Sequence, residues 1–267
     1  MSTETTQSTG EHLLEVDDLY VEFHTREGVA KAINGVNFSL DEGETLAILG
    51  ESGSGKSVTA QAIMGILDMP PAVIPGGRIL YKGNDITAMA PADVARLGMV
   101  RSFQISAVFP HLTVLENVRV ALQRPNDLAT QFWLPLSALD RLDARADQLI
   151  SQLGLDPYRD HRAADLSYGR KRVLEIATTL ALDPEMLLLD EPTAGMGHED
   201  IERIAALIKR VAADRTVLMV EHNLSVVENL CQRITVLTRG RVLAEGDYAT
   251  VSNNPEVREA YMGTGHA

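Results

Sequence analysis

Residues 50–57 read Gly-Glu-Ser-Gly-Ser-Gly-Lys-Ser and match the phosphate-binding pattern G-x-x-x-x-G-K-[ST] at every specified position. The apolar run at residues 45–49 predicts a buried strand before this loop, and the spacing of apolar residues over 58–66 predicts a helix after it. A glycine- and serine-rich surface turn is the alternative interpretation, but such a turn does not need these flanking elements. The order of strand, loop and helix therefore predicts an α/β fold built around a phosphate site.

The residue types in this loop suit a triphosphate. Gly53 and Gly55 allow the backbone to turn so that successive N–H groups point at one anion, beside the positive end of a helix dipole. The Lys56 ammonium would reach the β- and γ-phosphates, and the Ser57 hydroxyl would bind Mg²⁺. We therefore predict that a nucleoside triphosphate binds here. The predicted contacts are Gly50, Glu51, Ser52, Gly53, Ser54, Gly55, Lys56, Ser57 and Val58.

Charge and composition exclude several other functions. The chain has 267 residues and a formal net charge of −13, which opposes non-specific binding to nucleic acid or to an anionic membrane surface. Its single cysteine, Cys231, excludes an internal disulfide and suits a reducing compartment. No apolar run approaches the roughly 18 residues of a membrane span. The polar composition of residues 1–11 predicts a disordered tail and not a signal peptide.

The remaining patterns predict a mixed sheet with a helical insertion. Alternating apolar residues indicate strands near the start, and proline and glycine indicate a loop over 69–77. From Thr113 the patterns are helical: Thr113 and Glu116 form a capping-box pattern, and an apolar stripe predicts a long helix over 137–153. Helices and apolar strands alternate again after residue 166. The predicted strands are residues 13–23, 36–40, 45–49, 78–81, 99–103, 186–189, 217–220, 234–238 and 242–245.

Two carboxylates follow the most apolar of these strands. Residues 186–189 are Met-Leu-Leu-Leu, and Asp190 and Glu191 come next. A buried strand of an open α/β sheet delivers such residues to the edge where ligands bind. Asp190 would hold Mg²⁺, directly or through water, and Glu191 would act as general base toward the attacking water. In isolation, two acids after a strand are as often an exposed turn, but the phosphate loop favours the functional interpretation.

Residues 166–170 read Leu-Ser-Tyr-Gly-Arg and open a predicted helix before the acidic strand. The phosphate loop, this Leu-Ser-x-Gly segment, the strand ending in Asp-Glu and a later histidine resemble an ABC-type ATPase over essentially the whole chain. In that family the segment binds the γ-phosphate held by the opposite subunit, through its serine hydroxyl and backbone amides at a helix N-terminus. Ser167 and Gly169 match the family's Leu-Ser-Gly-Gly-Gln, whereas Tyr168 and Arg170 depart from it. Without the other motifs, Ser167 would equally suit a simple helix cap.

The resemblance assigns three further positions and marks one departure. Gln104 corresponds to the glutamine that touches Mg²⁺ and senses the membrane subunit, and His222 to the histidine that contacts the γ-phosphate and positions the water. Phe23 lies where the family places an aromatic ring against adenine, although a core phenylalanine and a role for Tyr20 are alternatives. The loop after the catalytic glutamate usually ends in aspartate, where this chain has Gly197. That loop links the two sites of a dimer.

The resemblance also implies a fold and a division into subdomains. The expected architecture is the ABC ATPase fold, an α/β P-loop NTPase (RecA-like) core with an N-terminal antiparallel β subdomain and an inserted helical subdomain. Residues 12–267 would form this domain. The catalytic core would comprise residues 12–104 and 167–267, and the helical subdomain residues 105–166.

Different parts of the chain resemble two different branches of importer ATPases. Residues 28–87 resemble the ATPases of peptide and nickel importers. From residue 97 onward the chain resembles the ATPases of branched-chain amino acid importers, through residues 97–104, 109–118, 166–169 and 194–196. The later segments include those with which this family meets its membrane subunits. We therefore expect import of branched-chain or hydrophobic amino acids, with a peptide or nickel importer as the alternative.

The resemblance implies ATP and Mg²⁺ as ligands and several protein partners. Two ATPase subunits, identical or different, would close head to tail around two Mg-ATP, and closure would pull on a transmembrane permease. An external substrate-binding protein would act indirectly. The chain would be cytoplasmic and peripheral on the cytoplasmic face of the plasma (inner) membrane. A soluble non-transport ABC ATPase and a small-molecule kinase are less favoured, because the chain lacks basic arms and a kinase has no use for Ser167 or His222.

Overall fold

The structure of the protein, a computed structural model, describes residues 12–102, 108–131, 133 and 135–262. The chain forms two units, one of residues up to 97 together with residues from 212 onward, and one of residues 98–211. The predicted division into a catalytic core and a helical subdomain stays a prediction. Within the described residues, no helix combines the length and the apolar character that crossing a bilayer requires.

Strands and helices alternate strictly between residues 168 and 238, and elements of the same type follow one another in several other places. The strands are β1 (Leu14–Thr25), β2 (Gly28–Leu40), β3 (Thr45–Gly50), β4 (Ala72–Tyr81), β5 (Asn84–Asp85), β6 (Met99–Ser102), β7 (Met186–Asp190), β8 (Thr216–Glu221), β9 (Arg233–Thr238) and β10 (Arg241–Gly246). The α-helices are α1 (Lys56–Ile63), α2 (Pro91–Arg96), α3 (Val114–Gln123), α4 (Asp143–Gln152), α5 (Tyr168–Leu180), α6 (His198–Ala212), α7 (Leu224–Glu228), α8 (Tyr248–Asn253) and α9 (Pro255–Met262). Short 3₁₀ helices cover Leu136–Leu142, Asp156–Tyr158 and Ala163–Asp165.

An antiparallel sheet opens the first unit, and β1 lies in it between β2 and β4. Four apolar residues of β1 are buried: Leu14, Val16, Leu19 and Val21. In a regular strand the odd step from Val16 to Leu19 would place these two residues on opposite faces. A register shift at this point, with Asp18 at φ +47°, returns Leu19 to the buried face.

The predicted loop over residues 69–77 is wrong from residue 72 onward. β4 starts within this range, and Gly76 pairs with Tyr20 of β1. Close packing requires glycine at this point in β4. A Cβ on Gly77, whose φ is +87°, would lie 2.3 Å from the carbonyl oxygen of Asp18. Gly77 therefore fits against the irregular part of β1. This reason comes from a distant strand and is absent from a local count of glycine and proline.

Apolar strands form the second sheet region of this unit. β3 lies between β8 and β9 and is parallel to both, and β10 pairs with β9 in the antiparallel direction. Every residue of β3 and β8 is buried, as continuous apolar runs predict for central parallel strands. Leu49 pairs with Glu221. Residues 50 and 222 consequently leave neighbouring strands at the same edge.

The second unit contains the parallel pair β6 and β7, with Ser102 opposite Leu189, and helices α3 to α6. The single long helix predicted over 137–153 is wrong in its first part, because a 3₁₀ helix covers Leu136–Leu142 and the α-helix begins only at Asp143. Asp143 lies in the first turn of α4, where a carboxylate is favourable. It also pairs with Arg119 of α3, which lowers the pKa of its carboxyl group. This partner fixes the start of α4.

The predicted capping box at the start of α3 is confirmed. The Thr113 hydroxyl accepts a hydrogen bond from Glu116 N (3.1 Å), and Thr113 N donates to Glu116 Oε2 (2.7 Å). The backbone hydrogen bond from Thr113 lowers the pKa of the Glu116 carboxyl group. Two N–H groups that the helix itself leaves without a partner are thereby satisfied.

We expect Thr113→Ala to lower the free energy of unfolding by about 1 kcal/mol, because one N–H group at the start of α3 loses its acceptor. Urea unfolding followed by circular dichroism measures this change. Thr113→Ser keeps the hydroxyl and serves as the matched control. Equal stability of the alanine and serine variants would contradict the assigned cap.

Candidate functional site

The phosphate loop connects β3 with α1 and is shaped by glycine. Gly55 precedes α1 with φ +107°, a conformation that side chains with a Cβ rarely adopt. A Cβ at Gly55 would lie 2.7 Å from Ile33 Cδ1 and 3.0 Å from the carbonyl oxygen of Ala32. The loop is also anchored at Ser54, whose carbonyl accepts from Gly240 N at 2.9 Å. Glycine at position 55 is therefore required by both backbone conformation and space.

Lys56 holds the two ends of this loop together. Its Nζ donates to the carbonyl oxygens of Gly50 (2.6 Å) and Glu51 (2.9 Å), and the residue is only 6% exposed. The Ser54 hydroxyl is buried and has no hydrogen-bond partner among the described residues, whereas Ser57 is exposed at the start of α1. The Lys56 ammonium, which lies against the loop carbonyls, and the N-terminus of α1 together supply the positive charge that a phosphate site requires. The loop thus has the local geometry of an anion site.

At the end of β7, the two predicted acidic residues differ in environment. Asp190 is 2% exposed and accepts a hydrogen bond at Oδ2 from Arg101, while its Oδ1 has no partner among the described residues. Glu191 follows in the left-handed region, with φ +44°. Such backbone strain in a residue other than glycine is often found at functional sites. The strand therefore delivers one buried carboxylate and one strained residue at the strand end where the sequence placed the two acids.

The Asp190 carboxylate and the Ser57 hydroxyl each carry an oxygen atom of a type that binds Mg²⁺. Mg²⁺ prefers carboxylate, hydroxyl and phosphate oxygens and is usually bound through one or two protein groups plus the substrate phosphates. The buried Oδ1 of Asp190, which lacks a partner among the described residues, is such a donor within the second unit. The exposed Ser57 hydroxyl is a donor of this kind within the first unit. Gln104, the third predicted metal ligand, lies outside the described residues.

The segment that includes Ser167 begins α5. Ser167 is the N-cap residue by its backbone angles, but its side chain makes no capping hydrogen bond. The residue is exposed. Gly169 is buried, and a Cβ there would lie 3.0 Å from Asp200 Oδ1. The alternative of Ser167 as a simple side-chain cap is therefore not supported by this geometry.

The residues that depart from the family pattern have defined local contacts. The Tyr168 hydroxyl donates to the carbonyl oxygen of Ala194 (3.2 Å), in the loop that follows Glu191. The Arg170 guanidinium lies 4.2 Å from the centroid of the Tyr158 ring, a cation–π contact. The carbonyl of Gly197 accepts from residues 200 and 201 at the start of α6. Each departure is therefore built into the surrounding fold.

His222 follows β8 and is exposed, its side chain being 57% accessible. Its backbone N–H donates to Glu221 Oε2 (3.0 Å), and its Nδ1 lies 3.7 Å from the same oxygen. Glu221 itself is fully buried. Because Leu49 and Glu221 are paired, the structure brings the start of the phosphate loop and His222 to one sheet edge. The role of Glu221 in holding this turn was missed by sequence reasoning, although an acid at the end of an apolar strand is a usable signal.

Phe23 and Tyr20, the two candidates for stacking on adenine, both lie on β1. Phe23 is half-buried and Tyr20 is 37% exposed, so the assignment stays a prediction. For Cys231, burial, followed by the nearby Glu221 charge, raises the pKa of the thiol to about 12, which disfavours the reactive thiolate form. Sequence reasoning also missed Arg101, the partner of Asp190.

Comparison with known families gives two matches. The family described as ABC transporter matches residues 33–194, and the family described as branched-chain amino acid ATP-binding cassette transporter matches residues 241–267. The high-affinity branched-chain amino acid transport ATP-binding protein BraF of Pseudomonas aeruginosa is 32% identical over 258 residues, covering 94% of this chain and 98% of the relative. Its counterpart LivG of Escherichia coli is 32% identical over 261 residues, with the same two coverages of 94% and 98%. The oligopeptide transport ATP-binding protein OppD of Bacillus subtilis is 34% identical over 251 residues, covering 91% of this chain and 68% of the relative.

Solved structures give the same picture. MJ1267, an ATP-binding cassette of an ABC transporter in its ADP conformation, has a TM-score of 0.79 and 28% identity, covering 94% of this chain and 99% of that chain. MJ0796, an ATP-binding cassette in a dimeric post-hydrolysis state with ADP and phosphate, has a TM-score of 0.71 and 25% identity, covering 88% of this chain and 98% of that chain. The predicted ABC ATPase architecture is confirmed by these similarities.

Proposed function

Because the chain belongs to the ABC transporter family of ATP-hydrolysing subunits, we propose that it powers the import of branched-chain amino acids through a membrane permease. The observation that carries this proposal is the near full-length similarity to BraF and LivG, which extends over 98% of each relative. The match of residues 241–267 to the branched-chain family supports the same substrate class.

The proposed roles of the phosphate-loop residues follow from their geometry. Gly50, Glu51, Ser52, Gly53, Ser54, Gly55, Lys56, Ser57 and Val58 would line the triphosphate, with Lys56 turning its ammonium from loop carbonyls to the β- and γ-phosphates. The Ser57 hydroxyl and the Asp190 carboxylate would hold Mg²⁺, which when bound would neutralise charge on the phosphates. Lys56 can change partners from carbonyls to phosphates in this way because its ammonium already lies in the loop.

The proposed chemical step uses two further residues. Glu191 would accept the proton of the attacking water as general base, and His222 would hold that water against the γ-phosphate. The exposure of the His222 side chain leaves it accessible to a ligand. The backbone N–H groups of His222 and Asn223 donate to buried Glu221, and these hydrogen bonds would fix the position of His222. Gln104 would report the state of the site to the permease.

The proposed assembly is a head-to-tail pair of ATPase subunits on the cytoplasmic face of the plasma membrane. Ser167 and Gly169 of one subunit would bind the γ-phosphate held by Lys56 of the other. The exposed Ser167 hydroxyl, which makes no cap in its own helix, supports this role. An external substrate-binding protein would deliver the amino acid to the permease, so that this chain needs no amino acid site of its own.

A peptide importer is the second candidate function. It is favoured by the 34% identity to OppD over 91% of this chain and by the resemblance of residues 28–87 to that branch. OppD, however, extends beyond the matched region, because only 68% of it is covered. The branched-chain relatives are covered almost completely, and we therefore place them first.

Purification of the tagged chain from native membranes in mild detergent tests the assembly. We expect polytopic permease subunits and an ATPase subunit to co-purify, and the sequence of the permease would identify the importer branch. Recovery of the chain alone, or with a ribosome or nucleic acid, would contradict the transporter assignment. The variant Ser167→Ala serves as a control, because it should still bind the permease.

A further inference from the structure

The two carboxylate oxygens of Asp190 have different partners. Oδ2 accepts from Nη2 of Arg101, whereas Oδ1 is buried and has no hydrogen-bond partner among the described residues. The side chains of Arg101 and Asp190 are 11% and 2% exposed, so the ion pair is largely removed from water. We propose, on the premise of the proposed function, that Arg101 is the positioning residue for Mg²⁺: it holds Oδ2 and thereby presents Oδ1 to the metal.

Before nucleotide binds, Arg101 is the charged partner of the buried Asp190 carboxylate. A buried carboxylate without a paired charge strongly destabilises a fold. Arg101 supplies that charge from β6, the strand parallel to β7, where it lies opposite Leu188. An arginine is suited to this task because its planar guanidinium stays charged and fixes the orientation of the oxygen that it contacts. The Arg101 guanidinium thereby compensates the charge of a carboxylate that is 2% exposed.

A second arginine fixes the backbone of the same residue. Arg172 of α5 donates from Nη2 to the carbonyl oxygen of Asp190 (3.2 Å) and from Nη1 to Glu175 Oε2 (2.7 Å). Arg172 and Glu175 are both buried. With the main chain held by Arg172, the direction of the carboxylate depends on the side-chain contact with Arg101.

Groups that orient a metal-binding carboxylate through hydrogen bonds usually matter almost as much as the ligand itself. Their replacement typically lowers metal affinity by about 10- to 100-fold. Mg²⁺ is sensitive to such changes because it demands nearly ideal octahedral geometry. We therefore expect Arg101 to control the magnesium dependence of nucleotide binding and not the binding of nucleotide as such.

The experiment measures ADP affinity by calorimetry in Mg²⁺ and in EDTA, for the wild type and Arg101→Met. The ratio of the two affinities isolates the contribution of the metal. We expect Arg101→Met to reduce this ratio about 10-fold, with the affinity in EDTA within about twofold of the wild type. Without nucleotide, its Tm should fall by roughly 6–12 °C, because Asp190 loses its buried counter-charge.

Two further variants keep the inference testable. Arg101→Lys retains the charge without the planar fork, so we expect it to recover most of the Tm but not the ratio, even if Arg101→Met fails to fold. Arg119→Met removes a different Arg–Asp pair, with Asp143, and should leave the ratio unchanged. An unchanged or increased ratio in both Arg101 variants, with a normal magnesium dependence in the wild type, would overturn this inference alone. A wild type whose ADP affinity does not depend on Mg²⁺ would overturn the proposed magnesium-binding role of Asp190 as well.

Discussion

Glu191→Gln is expected to bind ATP with nearly unchanged affinity while hydrolysing it at least about 100-fold more slowly, because the amide cannot accept the proton of the attacking water. Glutamine has almost the same size as glutamate, and the change preserves the backbone with its φ of +44°. Without hydrolysis, the variant should accumulate as an ATP-dependent dimer. Steady-state phosphate release and size-exclusion chromatography with ATP measure the two effects.

The matched control for this variant is Glu202→Gln, an exposed glutamate of α6 with the same charge change. We expect its turnover to remain within about twofold of the wild type, as is usual for surface substitutions. Full turnover by Glu191→Gln would remove Glu191 from the role of general base. Loss of ATP binding in the same variant would show that the side chain supports the loop and not the chemistry.

Lys56→Ala is expected to lower ATP affinity by about 100-fold, since the site loses its charged hydrogen bonds to phosphate, each of which contributes about 1.5–3 kcal/mol. The same substitution removes two hydrogen bonds to loop carbonyls, from Lys56 Nζ to Gly50 and Glu51. We therefore also expect the free energy of unfolding without nucleotide to fall by about 2 kcal/mol. Calorimetric titration and urea unfolding separate the two effects.

Lys209→Ala removes an exposed lysine of α6 and controls for the loss of one positive charge. Its ATP affinity should remain close to that of the wild type, because surface charges are screened by salt. If Lys56→Ala lost stability but kept its ATP affinity, the lysine would be a structural residue of the loop only. In that event the phosphate site would have to be placed elsewhere.

The local elements that the sequence predicted correctly are those whose neighbours in space are also neighbours in sequence. The phosphate loop lies between its strand and its helix, and the capping box at Thr113 spans one helical turn. The acids after β7 were recognised because a fully apolar strand ends abruptly at Asp190. In each case the local pattern specifies both the element and its chemistry.

The parts that sequence reasoning missed depend on partners far along the chain. Arg101 and Asp190 are 89 positions apart, and Tyr168 reaches Ala194 across 26 positions. The first part of β4, residues 72–77, was predicted as a loop for the same reason: proline and glycine suggested a turn, whereas the packing of Gly77 against β1 needs glycine. Such contacts follow from tertiary pairing, which composition and periodicity do not contain.

The measurement that tests the central claim most directly is uptake of radiolabelled leucine by cells that lack this chain. The same cells are complemented with the wild type or with Glu191→Gln, and uptake of a labelled dipeptide is followed in parallel. We predict that the wild type restores leucine uptake, that Glu191→Gln does not, and that dipeptide uptake is unaffected throughout. Loss and restoration of dipeptide uptake with unchanged leucine uptake would contradict the assignment to branched-chain amino acid import.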